Sequence, residues 1–311
     1  MELYDKYSIT PFSFDSSAET EFQLPFSLGD IRVESIEGLL RADNFSLWEE
    51  YLTGDLVKFF SRAKVALVHH FRSGFVTSKD EEDSKELLQM AFHCLRVVKP
   101  TRTRFSVVQY RKAPDKEVDV LSLVYPGTAL RINLPESEVL NQIKAEDLNQ
   151  LKLIWPSFRN LRVAGPPHLR RAMRYYETSY ETLGDGDLQL VTWVTGIEAL
   201  YSHGDEPCGL DEIKARILRS VGPDTDIYEG MEGRWMYAPK PLLVKDVLDN
   251  LFELRDRFIH GAWAPKSWLE KSMRPAISGR PLTLPDVLRE AASFILRIGI
   301  QKILLSASNG A

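Results

Sequence analysis

Five apolar residues, Leu243, Val247, Leu251, Leu254 and Phe258, recur three or four positions apart and run up to Gly261. A strand shows alternate residues on one face, so this period belongs to a helix with a single apolar stripe. The spacing predicts a helix from Pro239 to His260, closed by Gly261 at the position where a left-handed residue ends a helix. A one-striped helix must bury its stripe against other elements. The flanking sequence predicts four helical neighbours: His168 to Thr182, Leu188 to Tyr201 with Asp187 as its cap, Leu210 to Val221, and Pro285 to Leu305. No period of tens of residues repeats, which points to a bundle and away from a solenoid.

Before Gly165-Pro166-Pro167 the pattern changes. Pro11, Pro25, Gly29 and Gly38 break residues 1–40 into loops and short strands. Asn44 to Tyr51 reads as a short helix capped by Asp43 or Asn44. Val65 to Val68 fits a strand or a buried helix. Ser78 to Val98 carries acids at its start and Arg96 near its end, as the helix dipole favours, and Pro100 stops it. Phe105 to Tyr110, Val118 to Tyr125 and Ala129 to Leu134 read as strands, and Pro135 to Leu153 as a helix. The expected fold class is an α+β N-terminal region followed by an all-α helical bundle. The expected domains are residues 1–160, mixed α+β with a sensing or regulatory role, and residues 165–311, helical.

Composition narrows the function classes. Two domains suit 311 residues. Cys94 and Cys208 are the only cysteines and have no CxxC spacing, which gives neither a zinc site nor a disulfide framework. Adjacent His69 and His70 point to opposite sides of a helix or a strand, which argues against a shared metal. No unbroken apolar run approaches membrane-spanning length, and the N-terminus lacks the apolar block of a signal peptide, so a cytoplasmic protein without membrane contact is expected. There is no P-loop, GxGxxG, HExxH or GxSxG pattern. The net charge is −5, yet two stretches hold bases and no acids. One carries Arg96, Lys99, Arg102, Arg104, Arg111 and Lys112; the other carries Lys152, Arg159, Arg162, Arg170, Arg171 and Arg174. Such stretches either hold a phosphate backbone or are solvated faces paired with acids elsewhere.

Three segments in order resemble the Apea-like branch of the HEPN superfamily. They are Val194 to Tyr201, which contains Glu198; Ile213 to Leu218; and Leu251 to Gly261. The last carries Arg255 and His260 in an Arg-x4-His arrangement, with polar Asp256 after the arginine. The likeness spans Gly165 to about Ser306 and leaves the first 160 residues without an anchor. It implies an HEPN-like bundle that homodimerises and acts on RNA without a cofactor or metal. It further implies a metal-independent endoribonuclease of a prokaryotic defence or toxin–antitoxin system, with an antitoxin or defence partner. The alternative is a non-catalytic RNA-binding or protein-interaction module.

The chemistry asks for few groups. RNA supplies its own nucleophile, the 2′-OH. A group titrating near neutrality must move protons, and histidine, with an ordinary pKa of about 6.5, suits that role. A fixed cation must hold the phosphoryl oxygens, and the planar fork of arginine suits that. His260 is therefore the expected general acid/base and Arg255 the phosphate clamp, with Glu198 and Asp256 as orienting carboxylates. Arg257, Arg170, Arg171 and Arg174 are expected to bind RNA, while Trp263 and Trp268 stack on bases or pack in a core or dimer contact. Positions five apart on a helix diverge by about 140°. A regular helix would therefore separate Arg255 from His260. The bland alternative pairs Arg255 with Glu198 or Asp256 and lets His260 satisfy the last carbonyls of its helix.

Overall fold

The computed structural model describes residues 4–12, 26–35, 65–73, 78–100, 107–112, 118–124, 143–180, 186–202, 208–227, 241–270, 274–275 and 281–309. The expected elements at Asn44–Tyr51 and Ala129–Leu134, and the basic residues Arg102 and Arg104, lie outside them. Two compact units emerge, Met1–Trp155 and Pro156–Ala311.

Among the described residues the first unit is an antiparallel sheet with one complete helix and the start of a second. Its strands are β1 (Tyr4–Phe12), β2 (Phe26–Leu28), β3 (Ile31–Ser35), β4 (Val65–Ser73), β5 (Val107–Lys112) and β6 (Val118–Val124), in the order β2-β3-β4-β1-β5-β6. The ambiguous Val65–Val68 run is thus strand, in keeping with its β-branched and small apolar content. Helix α1 (Ser78–Val98) packs on β1, β4 and β5. Between β2 and β3 the chain turns through Gly29 and Asp30, and Gly29 takes φ +78°, which a two-residue hairpin loop often requires.

Beneath α1 lies a polar chain of buried Ser8, Ser84 and Gln109 with half-buried His69. Ser8 on β1 stands directly opposite His69 on β4 and Gln109 on β5. Ser84 of α1 donates to Ser8 at 2.6 Å and shares a 2.8 Å hydrogen bond with His69 Nδ1, and Gln109 Nε2 donates to Ser8 at 3.0 Å. Because the single Ser84 proton goes to Ser8, Nδ1 of His69 must be the donor to Ser84. His70, on the other face, stacks on Tyr7 with ring centroids 4.7 Å apart. The two histidines do diverge as the sequence implies.

In the second unit every long element is helical. Helix α2 (Ala145–Ala164) begins in the first unit and continues through Pro156 into the second. It therefore runs past Leu153, where sequence reasoning ended it; Pro156 is tolerated inside. The sequence-based division at Gly165 falls after this helix. Then follow α3 (Pro167–Ser179), α4 (Gly186–Tyr201), α5 (Leu210–Val221), α6 (Val244–Ile259), α7 (Lys266–Glu270), the short strands β7 (Arg274–Pro275) and β8 (Pro281–Leu282), and α8 (Leu284–Asn309).

Helix α8 is the central element, packed against α3, α4, α5, α6 and α7. It is long and apolar enough to cross a membrane, and much of its apolar surface is buried in the bundle, with Leu288, Ala291, Ile295 and Ile300 all buried. At its start the Asp286 carboxylate accepts from both the backbone N–H and the hydroxyl of Thr283. Asp187 does not cap α4 as expected; the helix starts at Gly186, and Asp187 pairs with Arg289 of α8 at 2.8 Å. Gly196 lets α4 approach its neighbours, since a Cβ there would lie 2.6 Å from Leu296. Helix α6 starts at Val244, with Leu243 extended before it, and so is shorter at its start than its apolar stripe predicts.

Candidate functional site

Helix α6 carries the Arg-x4-His segment at its end, where the backbone satisfies its own last carbonyls. The N–H of His260 bonds to Asp256 O at 3.0 Å, that of Gly261 to Phe258 O at 3.1 Å, and that of Ala262 to Arg257 O at 2.7 Å. The last two bonds and the φ of +71° at Gly261 form a Schellman cap. His260 is the residue at which helical geometry ends, with φ −88° and ψ 11°. The helix carbonyls are met by backbone N–H groups, and the His260 side chain is left exposed.

Arg255 turns toward α4. Its guanidinium forms an ion pair with Glu198 and a second with Asp256 at 3.1 Å, and it sits over the Phe252 ring at 5.8 Å. Its Nε is buried and makes no hydrogen bond among the described residues. The carboxyl of Glu198 is pushed above its usual range. Burial is the main cause, Arg255 opposes it, and the Asp256 charge adds to it. The direct ion pair alone argues for a depressed value. Burial outweighs it here because Glu198 is only 28% exposed and shares Arg255 with a second carboxylate.

His260 faces elsewhere. It lines an open groove of about 470 Å³ together with Leu210, Asp249, Phe252, Glu253, Asp256, Arg257 and Ala262. Arg255 is not part of that lining. Asp256 is the link between the two, lining the groove and holding Arg255. The 140° divergence is therefore realised, and one copy of the chain does not bring Arg255 and His260 together in the groove. Arg257 lines it but is paired with Glu253 at 2.8 Å.

The other expected contacts are scattered. Arg170, Arg171 and Arg174 are exposed on α3. Arg170 reaches the carbonyl of Val163 at 3.5 Å, and Arg171 and Arg174 carry no ion pair among the described residues. Arg162 is taken out of this set by a bidentate pair with Glu177, 2.8 Å at both oxygens. In the first basic stretch Arg96 and Lys99 are buried, so they form neither a solvated face nor an open phosphate cradle. Trp263 is 82% exposed, which excludes a core role within the described unit. What sequence reasoning missed is the groove's acidity. Asp249, Glu253 and Asp256 recur at helical spacing with His260, a signal that was present but unread. Among the described residues no group of His, Cys, Asp or Glu has a geometry that would hold a metal.

No family model, no curated protein and no solved structure matches this chain.

Proposed function

We propose that this chain is an HEPN-type protein acting on RNA as a metal-independent endoribonuclease, working as a homodimer in a defence or toxin–antitoxin setting. The supporting observation is the end of α6, where the Schellman cap frees the His260 imidazole to face an open groove while Arg255 is fixed nearby by two carboxylates. In this reading the RNA 2′-oxygen attacks phosphorus and loses its proton. The P–O5′ bond breaks, and the leaving 5′-oxygen gains a proton. His260 moves protons and Arg255 stabilises phosphoryl charge. The products are a 2′,3′-cyclic phosphate and a 5′-OH. A second copy of the chain, or release of Arg255 from Glu198, would be needed to join the two groups.

A second reading is favoured by a separate observation. Arg255 is already neutralised by Glu198 and Asp256 and lies outside the groove, as expected of a non-catalytic binding module. The two readings part in one assay. Purified protein is incubated with structured and unstructured RNA in EDTA, alongside His260→Ala and Arg255→Ala. The nuclease reading expects cyclic-phosphate products from wild type and at least about a hundredfold loss in each variant. Cleavage unchanged in both variants defeats the site assignment, and no cleavage of any RNA selects the binding module.

A further inference from the structure

Asp256 stands between Arg255 and the groove that His260 faces. Around the axis of α6, Asp256 lies about 100° from Arg255, and His260 lies about 140° from it in the same direction. Asp256 therefore falls between the two in angle. It also precedes His260 by four residues, the spacing at which helical side chains become neighbours. Asp256 and His260 both line the groove, and Arg255 does not.

The guanidinium of Arg255 is shared by two unlike carboxylates. Glu198 is the sheltered one: it reaches across from α4 and accepts from Nη2. Asp256 is the open one: it is 55% exposed and meets Nη1 at 3.1 Å. The two repel each other across the arginine. Burial is the main reason that the Glu198 carboxyl is held above its usual range; Arg255 works against this, and the Asp256 charge adds to it. Nor is the guanidinium saturated, because its Nε makes no hydrogen bond among the described residues. An ion pair with so exposed a carboxylate is weak. Asp256 is thus the replaceable partner of Arg255.

On the reading of Arg255 and His260 as parts of one RNA site, we propose that the Asp256 carboxylate is a resident stand-in for a phosphodiester, holding the edge of Arg255 that an incoming phosphoryl oxygen must take. Guanidinium pairs with phosphate oxygens as it does with carboxylate oxygens, so one anion exchanges for the other without rebuilding the site. Release of Arg255 from Glu198 and approach of a second copy both require Nη1 to be cleared first. Asp256 therefore works against binding. A carboxylate that merely held Arg255 in place would have the opposite effect, since its removal would weaken the site.

The test measures binding apart from cleavage. Its probe is a fluorescein-labelled 2′-O-methyl RNA oligonucleotide, which lacks the free 2′-OH that attacks phosphorus. Anisotropy titrations of the full chain at low salt compare wild type, Asp256→Asn, Arg255→Gln and the double variant. Asp256→Asn is expected to tighten binding about three- to tenfold. In the Arg255→Gln background the same change is expected to do nothing, because no guanidinium is left to uncover. Should Arg255→Gln fold poorly by circular dichroism, Arg255→Gln/Glu198→Gln, which strands no carboxylate, serves as the background. Three outcomes overturn the proposal. One is tightening that persists without Arg255, which would reflect only the loss of a negative charge. Another is affinity that is unchanged or weakened in Asp256→Asn. The third is no binding of the probe by any variant. The nuclease reading is judged separately, by cleavage of ordinary RNA and its loss in His260→Ala. A chain that cuts RNA while Asp256→Asn leaves affinity unmoved keeps that reading and loses this one. A chain that cuts nothing, yet binds through an uncovered Arg255, does the reverse.

Discussion

Arg255 joins two helices through charge: α6 holds it and Glu198 of α4 receives it, with both side chains largely sheltered from water. Removing the arginine strands a half-buried carboxylate. Arg255→Ala is expected to lower stability by about 1–3 kcal/mol, read as a shifted urea midpoint. Glu198 allows a sharper test through pH. Its folded-state pKa lies above the usual 4.5 because burial outweighs the arginine. The folded protein therefore holds this proton more tightly than the unfolded chain. Stability from this group is fully present below the unfolded value and is lost as pH rises through the folded value. Glu198→Gln should match wild type at about pH 4 and gain on it by about pH 7. Urea titrations at both pH values check this; a variant that loses ground with rising pH would mean that Arg255 outweighs burial.

At the scale of elements, the end of α6 depends on one backbone conformation. Gly261 has φ +71° with open space where a Cβ would stand, so substitution there meets strain and no clash. Gly261→Ala is expected to cost about 1 kcal/mol, and Gly261→Asn less, because asparagine tolerates the left-handed region. Thermal melts of the two variants measure the difference. Gly196 is the opposite case, with ordinary helical backbone and no room. Gly196→Ala should cost about 1–3 kcal/mol through the clash with Leu296, and Leu296→Ala should recover part of the loss. Much of this was legible in the sequence. The stripe from Val247 to Phe258 and the glycine after it mark α6 and its end, and Leu210–Val221 ends before Gly222 as the sequence implies. Less legible was α2, because Pro156 reads locally as a stop although the helix passes through it. The site was half legible. The resemblance of the Arg-x4-His segment names Arg255 and His260, but only packing shows that one leans on α4 and the other opens onto a groove.

For the whole molecule, the question is where a polyanion would settle on a chain of net charge −5. The groove offers carboxylates, whereas α3 offers Arg170, Arg171 and Arg174, all exposed. If RNA is the ligand, the combined variant Arg170→Glu/Arg171→Glu/Arg174→Glu should lower affinity at least about tenfold. It should also flatten the dependence of log affinity on log salt by about two to three counterions. Filter binding over a salt series reads both. Reversal of Arg257 should do less, because Glu253 already holds that charge.

The polar chain of Ser8, Ser84, His69 and Gln109 bears on the alignment of the first unit's sheet. Apolar patterning alone leaves β1 several ways to lie between β4 and β5. A slip of one residue would turn Ser8 to the opposite face and break its hydrogen bonds with Ser84 and Gln109, while the bond between His69 and Ser84 would stay. Each lost bond would cost about 0.5–1.5 kcal/mol, so a misaligned β1 is penalised twice. The network thus favours the observed alignment of β1 over its one-residue neighbours.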